Sequence, residues 1–280
     1  MTISLLRHSE WNEEPSTIYP MKTKQNLALF DLDNTLLAGD SDYNWSLFLI
    51  SEGLLDATTH HDRNEKFYAD YKAGQLNIVE FLKFQLKPLS EHPKKFLDEL
   101  HLKYMQKIIR PMMTLKAQAL VDRHKAAGDL CVVITATNSF VTKPIATAYG
   151  IEHLIGSDPE MRNGEYTGGV TGVPTYKEGK VTRINQFLTE RGKKLSDFET
   201  SYFYSDSHND LPLMKLVTNP VAVDADKILT AYAQEQAWPL ISLRWFFSRV
   251  GHLWPTRKHV LRYISRGFKN PPLYLTPCYD

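Results

Sequence analysis

Three short apolar runs, "LALF" at 27–30, "CVVI" at 131–134 and "SYFYS" at 201–205, each stop at residues that carry chemistry. The first gives way to Asp31, Asp33 and Thr35, the second to Thr135, Thr137 and Asn138, and the third to Asp206, Asn209 and Asp210. A fourth run, "PVAV" at 220–223, follows closely. Runs this short and this apolar read as strands buried on both faces. Between them lie segments of helical period. "LKAQALVDRHKAAG" closes on Lys125 and Gly128 as a helix C-terminus does, and "KPIATAYG" and "GKVTRINQFLTERG" follow the same pattern. Strands alternating with helices imply an α/β chain with a Rossmann-like parallel sheet and helices on its faces. The carboxyl ends of such strands form one edge, where ligands bind. One polar cluster alone is explained by turn formers and helix caps. Three that converge on one crevice, with four aspartates, are harder to explain that way.

The interval from Tyr43 to Arg110 breaks the alternation. It reads as helices over "YNWSLFLISEG", "NEKFYADYKAG", "NIVEFLKFQL" and "HPKKFLDELHLKYMQKIIR", a helical insert after the first strand. "MRNGEYTGGVTGVPTY" predicts a small β-hairpin beside the main sheet. The expected organisation is an N-terminal extension at 1–24, a core at 25–42 and 111–240, the insert at 43–110, and a C-terminal tail at 241–280. That tail holds seven Lys/Arg and one acid, with Trp245, Phe246, Phe247 and Trp254 interleaved. Either its aromatics pack on the core, or it makes weak contact with a membrane surface.

At 280 residues the chain has room for one large domain or a core with an insert. Its formal net charge of +1 gives no reason to expect nucleic acid or another polyanion. Cys131 and Cys278 stand alone, so no disulfide framework is expected, and no clustered Cys/His spacing suggests zinc. The pair His60 and His61 reads as a solvated loop. No apolar h-region opens the chain and no uncharged apolar run reaches 18 residues, so a cytoplasmic protein is expected.

Asp31, Asp33, Asp206 and Asp210 on one crevice make a dense negative site that requires neutralisation. Oxygen-only ligands favour a hard cation. Mg²⁺ uses one or two carboxylates, keeps waters and takes the rest from a substrate phosphate. Thr135 and Asn209 would then offer hydrogen bonds to a phosphoryl group, and Lys180, in "EGKVTRI", would balance the remaining charge.

These residues resemble the haloacid dehalogenase-type phosphatases. "DLDNT" matches that superfamily's DxDxT motif, "VVITAT" its second motif, Lys180 in "EGKVT" its third, and "YSDSHNDLPLM" its fourth, usually GDxxND. The order and spacing agree over roughly residues 25 to 240, and the insert corresponds to the cap of the phosphoserine-phosphatase-like subclass. The resemblance implies Asp31 as the nucleophile forming an aspartyl-phosphate. It implies Asp33 as the acid that protonates the leaving oxygen and then activates water, with its main-chain carbonyl touching the metal. Asp31 and Asp206 become direct Mg²⁺ ligands, and Asp210 holds a metal-bound water or orients Lys180. Thr135, Asn209 and Lys180 bind the phosphoryl oxygens. Lys177 is the alternative lysine.

Substrate choice is implied by departures from the pattern. Asp40 falls where subclass members acting on phosphoserine carry an acid suited to a substrate amine, although it would equally cap the helix that follows. Gln85, with Lys83 and Lys87 nearby, stands where they carry an arginine for the substrate carboxylate. The expected activity is hydrolysis of a small phosphorylated metabolite, histidinol phosphate or phosphoserine among the choices. A phosphotransferase of the same fold and a catalytically silent scaffold that binds a membrane or partner are the rivals.

Overall fold

Seven strands build the sheet: β1 (Leu27–Phe30), β2 (Leu130–Asn138), β3 (His153–Arg162), β4 (Glu165–Thr171), β5 (Ser201–Ser205), β6 (Asn219–Val223) and β7 (Leu240–Ile241). The computed structural model describes residues 25–244 and sets the strands in the order β4-β3-β2-β1-β5-β6-β7. The expected extension at 1–24 and all but the first residues of the tail lie outside the described residues. Every pairing is parallel except β3 with β4.

The first strand sits at the centre. Its four residues are fully buried, and Phe30 aligns with Val133 on one side and Tyr204 on the other. Alternation divides it between two cores. Ala28 and Phe30 join Val133, Tyr149 and Tyr204, whereas Leu27 and Leu29 join Val132, Ile134 and Phe203 on the opposite face. Both faces are apolar because helices cover both.

Five of the helices between β1 and β2 belong to the insert or its exit: α1 (Ser41–Ser51), α2 (Ala57–Lys72), α3 (Ile78–Ser90), α4 (Lys94–Tyr104) and α5 (Arg110–Met112). A π-turn at Met105–Ile109 carries α4 into α5. The remaining helices are α6 (Leu115–Ala126) before β2, α7 (Ser139–Ala148), α8 (Glu178–Thr189), the short α9 (Leu211–Met214) and α10 (Lys227–Glu235). The insert has little core of its own. Trp45, Phe48, Leu82, Leu86, Leu97 and Tyr104 belong to the same buried cluster as Phe30 and Val133. A small separate cluster of Phe67, Leu76 and Phe84 joins α2 to α3.

Three expectations are corrected. The hairpin is not beside the sheet but extends it, because β3 pairs with β2 through its first half and with β4 through its second. His60 and His61 are not in a loop; they lie within α2, where His60 stacks on Phe84 at 4.8 Å. Strand β2 also runs past "CVVI" to Asn138. Among the described residues no helix is long and apolar enough to cross a membrane.

The start of α8 depends on a close approach. A Cβ on Gly179 would fall 2.0 Å from the Pro174 carbonyl oxygen. Gly179→Ala is therefore expected to destabilise the fold by about 3 kcal/mol, the upper part of the range for overpacking. It should also displace the neighbouring Lys180. Urea unfolding of the two proteins checks this, and equal midpoints would refute it.

Candidate active site

The chain leaves β1 through an irregular turn at Leu32–Leu36, in which Asp33 is extended (ψ 131°) and Asn34 is left-handed (φ 56°). The turn is closed by Asn34 N–H donating to Gly39 O and Leu37 N–H donating to Leu32 O, both at 2.9 Å. It aims Asp31 and Asp33 in different directions.

Asp31 faces the ends of β5 and α8. Lys180 Nζ donates to Asp31 Oδ1 at 2.8 Å and to Asp210 Oδ2 at 2.7 Å, and all three groups are buried. Ser205 Oγ also donates to Asp210 Oδ2, at 2.7 Å. The Thr35 hydroxyl stands between two carboxylates, 3.1 Å from Asp31 Oδ2 and 3.2 Å from Asp206 Oδ1, and accepts from the Asp206 amide at 3.0 Å. Asp33 faces the insert: its Oδ1 accepts from Ser41 N–H at 2.5 Å and its Oδ2 from Thr137 Oγ1 at 2.7 Å.

Desolvation dominates the electrostatics. Burial pushes Asp31 from 3.8 up to about 7, with Lys180 pulling it down and the charges of Asp210 and Asp33 pushing it up. Burial and then the charge of Asp40 push Asp33 to about 7, against hydrogen bonds from Ser41 and Thr137. Asp206 is raised well above the usual range by burial, Asp31 and Asp210. Burial alone would lower Lys180, but Asp210 and Asp31 outweigh it and hold the ammonium above the ordinary lysine range.

The donor set fits a hard cation. Asp31 and Asp206 share one hydroxyl, supply only oxygen, and are pushed toward neutrality by burial and by neighbouring carboxylates that Lys180 only partly offsets. Among the described residues no three acidic, His or Cys side chains form a ready-made cage. Mg²⁺ does not use one, since its shell is completed by water and phosphate. The side chains of Asp210 and Asp33 are engaged elsewhere, Asp210 by Lys180 and Ser205, and Asp33 by Ser41 and Thr137.

A cleft of about 630 Å³, open mouth included, lies over this turn. Its floor holds Asp31, Asp33, Asp40, Asp42 and Thr135, and the insert contributes Tyr43, Phe67, Tyr68, Tyr71 and Phe81. No Lys, Arg or His of the described residues lines it. Asp40 is the N-cap of α1, its Oδ1 accepting from the Asp42 and Tyr43 amides at 2.9 and 2.8 Å. Gln85 reaches the cleft, but its amide is engaged by Ser46 Oγ at 2.9 Å and Asn64 Oδ1 at 3.2 Å. Lys83 and Lys87 are exposed, and Lys87 pairs with Glu91. Thr135 is buried, and its hydroxyl accepts from Thr137 N–H at 3.2 Å.

Asn209 lies beside the insert, donating to Tyr71 O at 3.0 Å and Ser207 Oγ at 3.2 Å. Lys177 Nζ donates to Gly74 O at 2.7 Å, so Lys180, not Lys177, is the lysine among the carboxylates. Two residues of the site were given no role by the sequence. Thr137 stood among the polar residues after "CVVI", and its hydroxyl is what holds Asp33. Asp42, two positions past Asp40, accepts at Oδ1 from Asn138 Nδ2 at 3.2 Å, while its buried Oδ2 has no partner.

The sequence model of the haloacid dehalogenase-like hydrolases matches residues 28–215. A histidinol-phosphatase of Neisseria meningitidis is 47% identical over 221 residues, which are 79% of this chain and all of that protein. A crystal structure of a Bordetella pertussis protein of unknown function is 46% identical, with a TM-score of 0.75 over 79% of this chain and all of that one. A substrate-bound phosphoserine phosphatase shares the fold at 18% identity, with a TM-score of 0.58 over 80% of this chain and 95% of that one.

Because Asp31 and Asp33 are raised from 3.8 to about 7, the folded state binds more protons than the unfolded state between those values. Their contribution to stability is complete below about pH 4 and is lost as pH rises through about 7. A divalent cation that binds the ionised carboxylates opposes this loss. Mg²⁺ is thus expected to raise Tm by several degrees at pH 8 and by less than half as much at pH 5.5, on the scale of roughly 2–4 °C per kcal/mol. Thermal melts at both pH values with EDTA or Mg²⁺ test this; equal shifts would contradict it.

Proposed function

The chain belongs to the haloacid dehalogenase-like hydrolases, and on that premise we propose that it is a Mg²⁺-dependent phosphatase for a small cationic metabolite phosphate, histidinol phosphate being the best fit. In this reading the Asp31 carboxylate attacks phosphorus, the bond to the leaving oxygen breaks, and Asp33 gives that oxygen its proton. Asp33 then takes a proton from the water that cleaves the aspartyl-phosphate, releasing phosphate and restoring Asp31. Mg²⁺, held by Asp31, Asp206 and the Asp33 main-chain carbonyl, would supply positive charge to the phosphoryl oxygens. Lys180 keeps Asp31 in line and adds its own charge, with Asp210 orienting the ammonium. Thr135 and Asn209 hold phosphoryl oxygens, Asn209 after exchanging its contact with Tyr71. The insert, residues 43–110, acts as the cap that shapes the leaving-group side.

One observation carries the substrate assignment: the cleft is walled by carboxylates and aromatic rings and has no cationic side chain among its described lining. An ammonium and an imidazole are welcome there, whereas a substrate carboxylate would face like charge and no partner. Gln85, already engaged by Ser46 and Asn64, does not substitute for an arginine. The relative named for histidinol phosphate, 47% identical along its whole length, supports the same choice.

With Mg²⁺, the kcat/KM for histidinol phosphate is expected to exceed that for phosphoserine by about 10²-fold, since like-charge juxtaposition costs several kcal/mol. Asp31→Asn should abolish turnover of both. Asp40→Asn keeps a competent helix cap and removes a charge, so KM for histidinol phosphate should rise roughly 10- to 100-fold, with p-nitrophenyl phosphate nearly unaffected. Steady-state kinetics on the three substrates decide this, and a preference for phosphoserine or an active Asp31→Asn would overturn the assignment.

Asp33, raised to about 7, must be protonated when the leaving group departs. The kcat/KM for an alkyl phosphate is therefore expected to fall as pH rises through about 7. Asp33→Asn should erase that limb and slow the reaction about 10²- to 10⁴-fold. The weakly basic p-nitrophenolate needs less protonation and should lose less. A pH profile that keeps its alkaline limb in Asp33→Asn would assign the limb to another group.

A further inference from the structure

The turn that carries Asp33 has carbonyl groups that follow no helical ladder, because Asp33 and Asn34 both leave helical geometry. Three of them converge on one guanidinium outside the cleft. Arg244 Nη2 donates to Asn34 O at 2.5 Å and to Leu37 O at 2.8 Å, and Nη1 donates to Thr35 O at 3.3 Å. A planar fork of donors can bridge such carbonyls in a fixed geometry, which an ammonium on a flexible stem cannot.

Arg244 is itself anchored. The Leu243 amide donates to Asp224 Oδ2 at 2.9 Å, Thr114 Oγ1 donates to Leu243 O at 2.8 Å, and Lys116 Nζ donates to Arg244 O at 2.8 Å. Asp224 also lies 3.9 Å from Arg244 Nε, and its amide donates to Ile241 O in β7 at 2.9 Å. The segment Ile241–Arg244 is thereby tied to the end of β6 and the start of α6, and its side chain reaches the back of the turn. The residues on the other side of that turn are Asp33, held by Ser41 and Thr137, and Thr35, which stands between Asp31 and Asp206.

We infer that Arg244 is a positioning residue for the reaction: by holding the carbonyls of Asn34, Thr35 and Leu37 it fixes the aim of Asp33 and the place of Thr35, without touching substrate. The inference rests on the reading of Asp31 and Asp33 as the reacting pair. It separates Arg244 from the basic tail with which its charge was counted. A displacement of about 1 Å in a reacting group is enough to cost on the order of 10² in rate.

The test uses the full chain and its Arg244→Ala, Arg244→Gln and Arg244→Lys variants, assayed with p-nitrophenyl phosphate and Mg²⁺. Arg244→Ala is expected to lower kcat by about 10²-fold with KM changed by less than about threefold, and Arg244→Lys to fall between. Added methylguanidinium should restore part of kcat to Arg244→Ala. Hydrogen exchange should quicken at the Asn34, Leu37 and Ala38 amides and stay unchanged in the other strands. Wild-type kcat and exchange in a folded Arg244→Ala or Arg244→Gln would overturn the inference. So would a general loss of protection or insolubility of every variant, since the contact would then serve fold assembly. If the unmodified chain itself fails to turn over phosphate esters, the catalytic reading falls, while exchange at the turn still decides whether Arg244 holds it.

Discussion

One buried ammonium joins three segments that are far apart in the chain. Lys180, at the start of α8, contacts Asp31 at the end of β1 and Asp210 after β5. A charge taken out of water this completely is tolerated only when its partners are close and themselves hydrogen-bonded. Ser205 and Thr35 meet that condition for Asp210 and Asp31. The rest of the fold arranges for this meeting. The central placement of β1 brings Asp31 beside β5. The close approach of Gly179 to Pro174 determines where α8 begins, and hence where Lys180 enters. The one ammonium offsets one of the two carboxylates it touches, and the other, with Asp206 and Asp33, is left unbalanced, so the same geometry that stabilises the core creates a demand for a cation beside it.

Much of this was legible in the residues because the strands nearest the site are buried on both faces. "LALF" and "SYFYS" are strands with the boundaries their composition indicates, and their terminal polar residues do meet at one edge. Strand β3, "HLIGSDPEMR", escaped notice because its second half leaves the sheet body for a hairpin with β4, and its pattern mixes apolar and charged residues. Strand β7 is two residues long, below the reach of any periodicity. His60 and His61 were read by local polarity, but α2 is a largely polar helix that buries a narrow face against α3.

At the site, the sequence identified chemical types better than partners. Asp31, Asp206 and Asp210 come together as their places at strand ends implied, and Lys180 joins them as the charge balance and the motif order implied. Asn209 was expected on phosphate but donates to the Tyr71 carbonyl of the insert, a contact set by tertiary packing alone. Asp40 fulfils the capping role that its position allowed, and Asp42 supplies the unpartnered buried oxygen beside it. Arg244 is the clearest case of information absent from local pattern. Its partners are backbone carbonyls more than 200 residues earlier, and carbonyls carry no sequence signature.

The shared core of the insert bears on how such enzymes diversify. Modular grafting of one enzyme's cap onto another's base assumes that the cap is a separable unit with its own interior. Here Trp45, Leu82, Leu97 and Tyr104 are continuous with the interior beneath the sheet, and α2 with its neighbouring face of α3 is the part whose small cluster stands apart. A chimera cut at residues 43 and 110 would sever that common interior, whereas a junction confined to 56–77 exchanges aromatic wall residues and spares Leu54 and Leu55, which pack on the main core. The separable part of the cap is thus the short segment that supplies Phe67, Tyr68 and Tyr71 to the cleft.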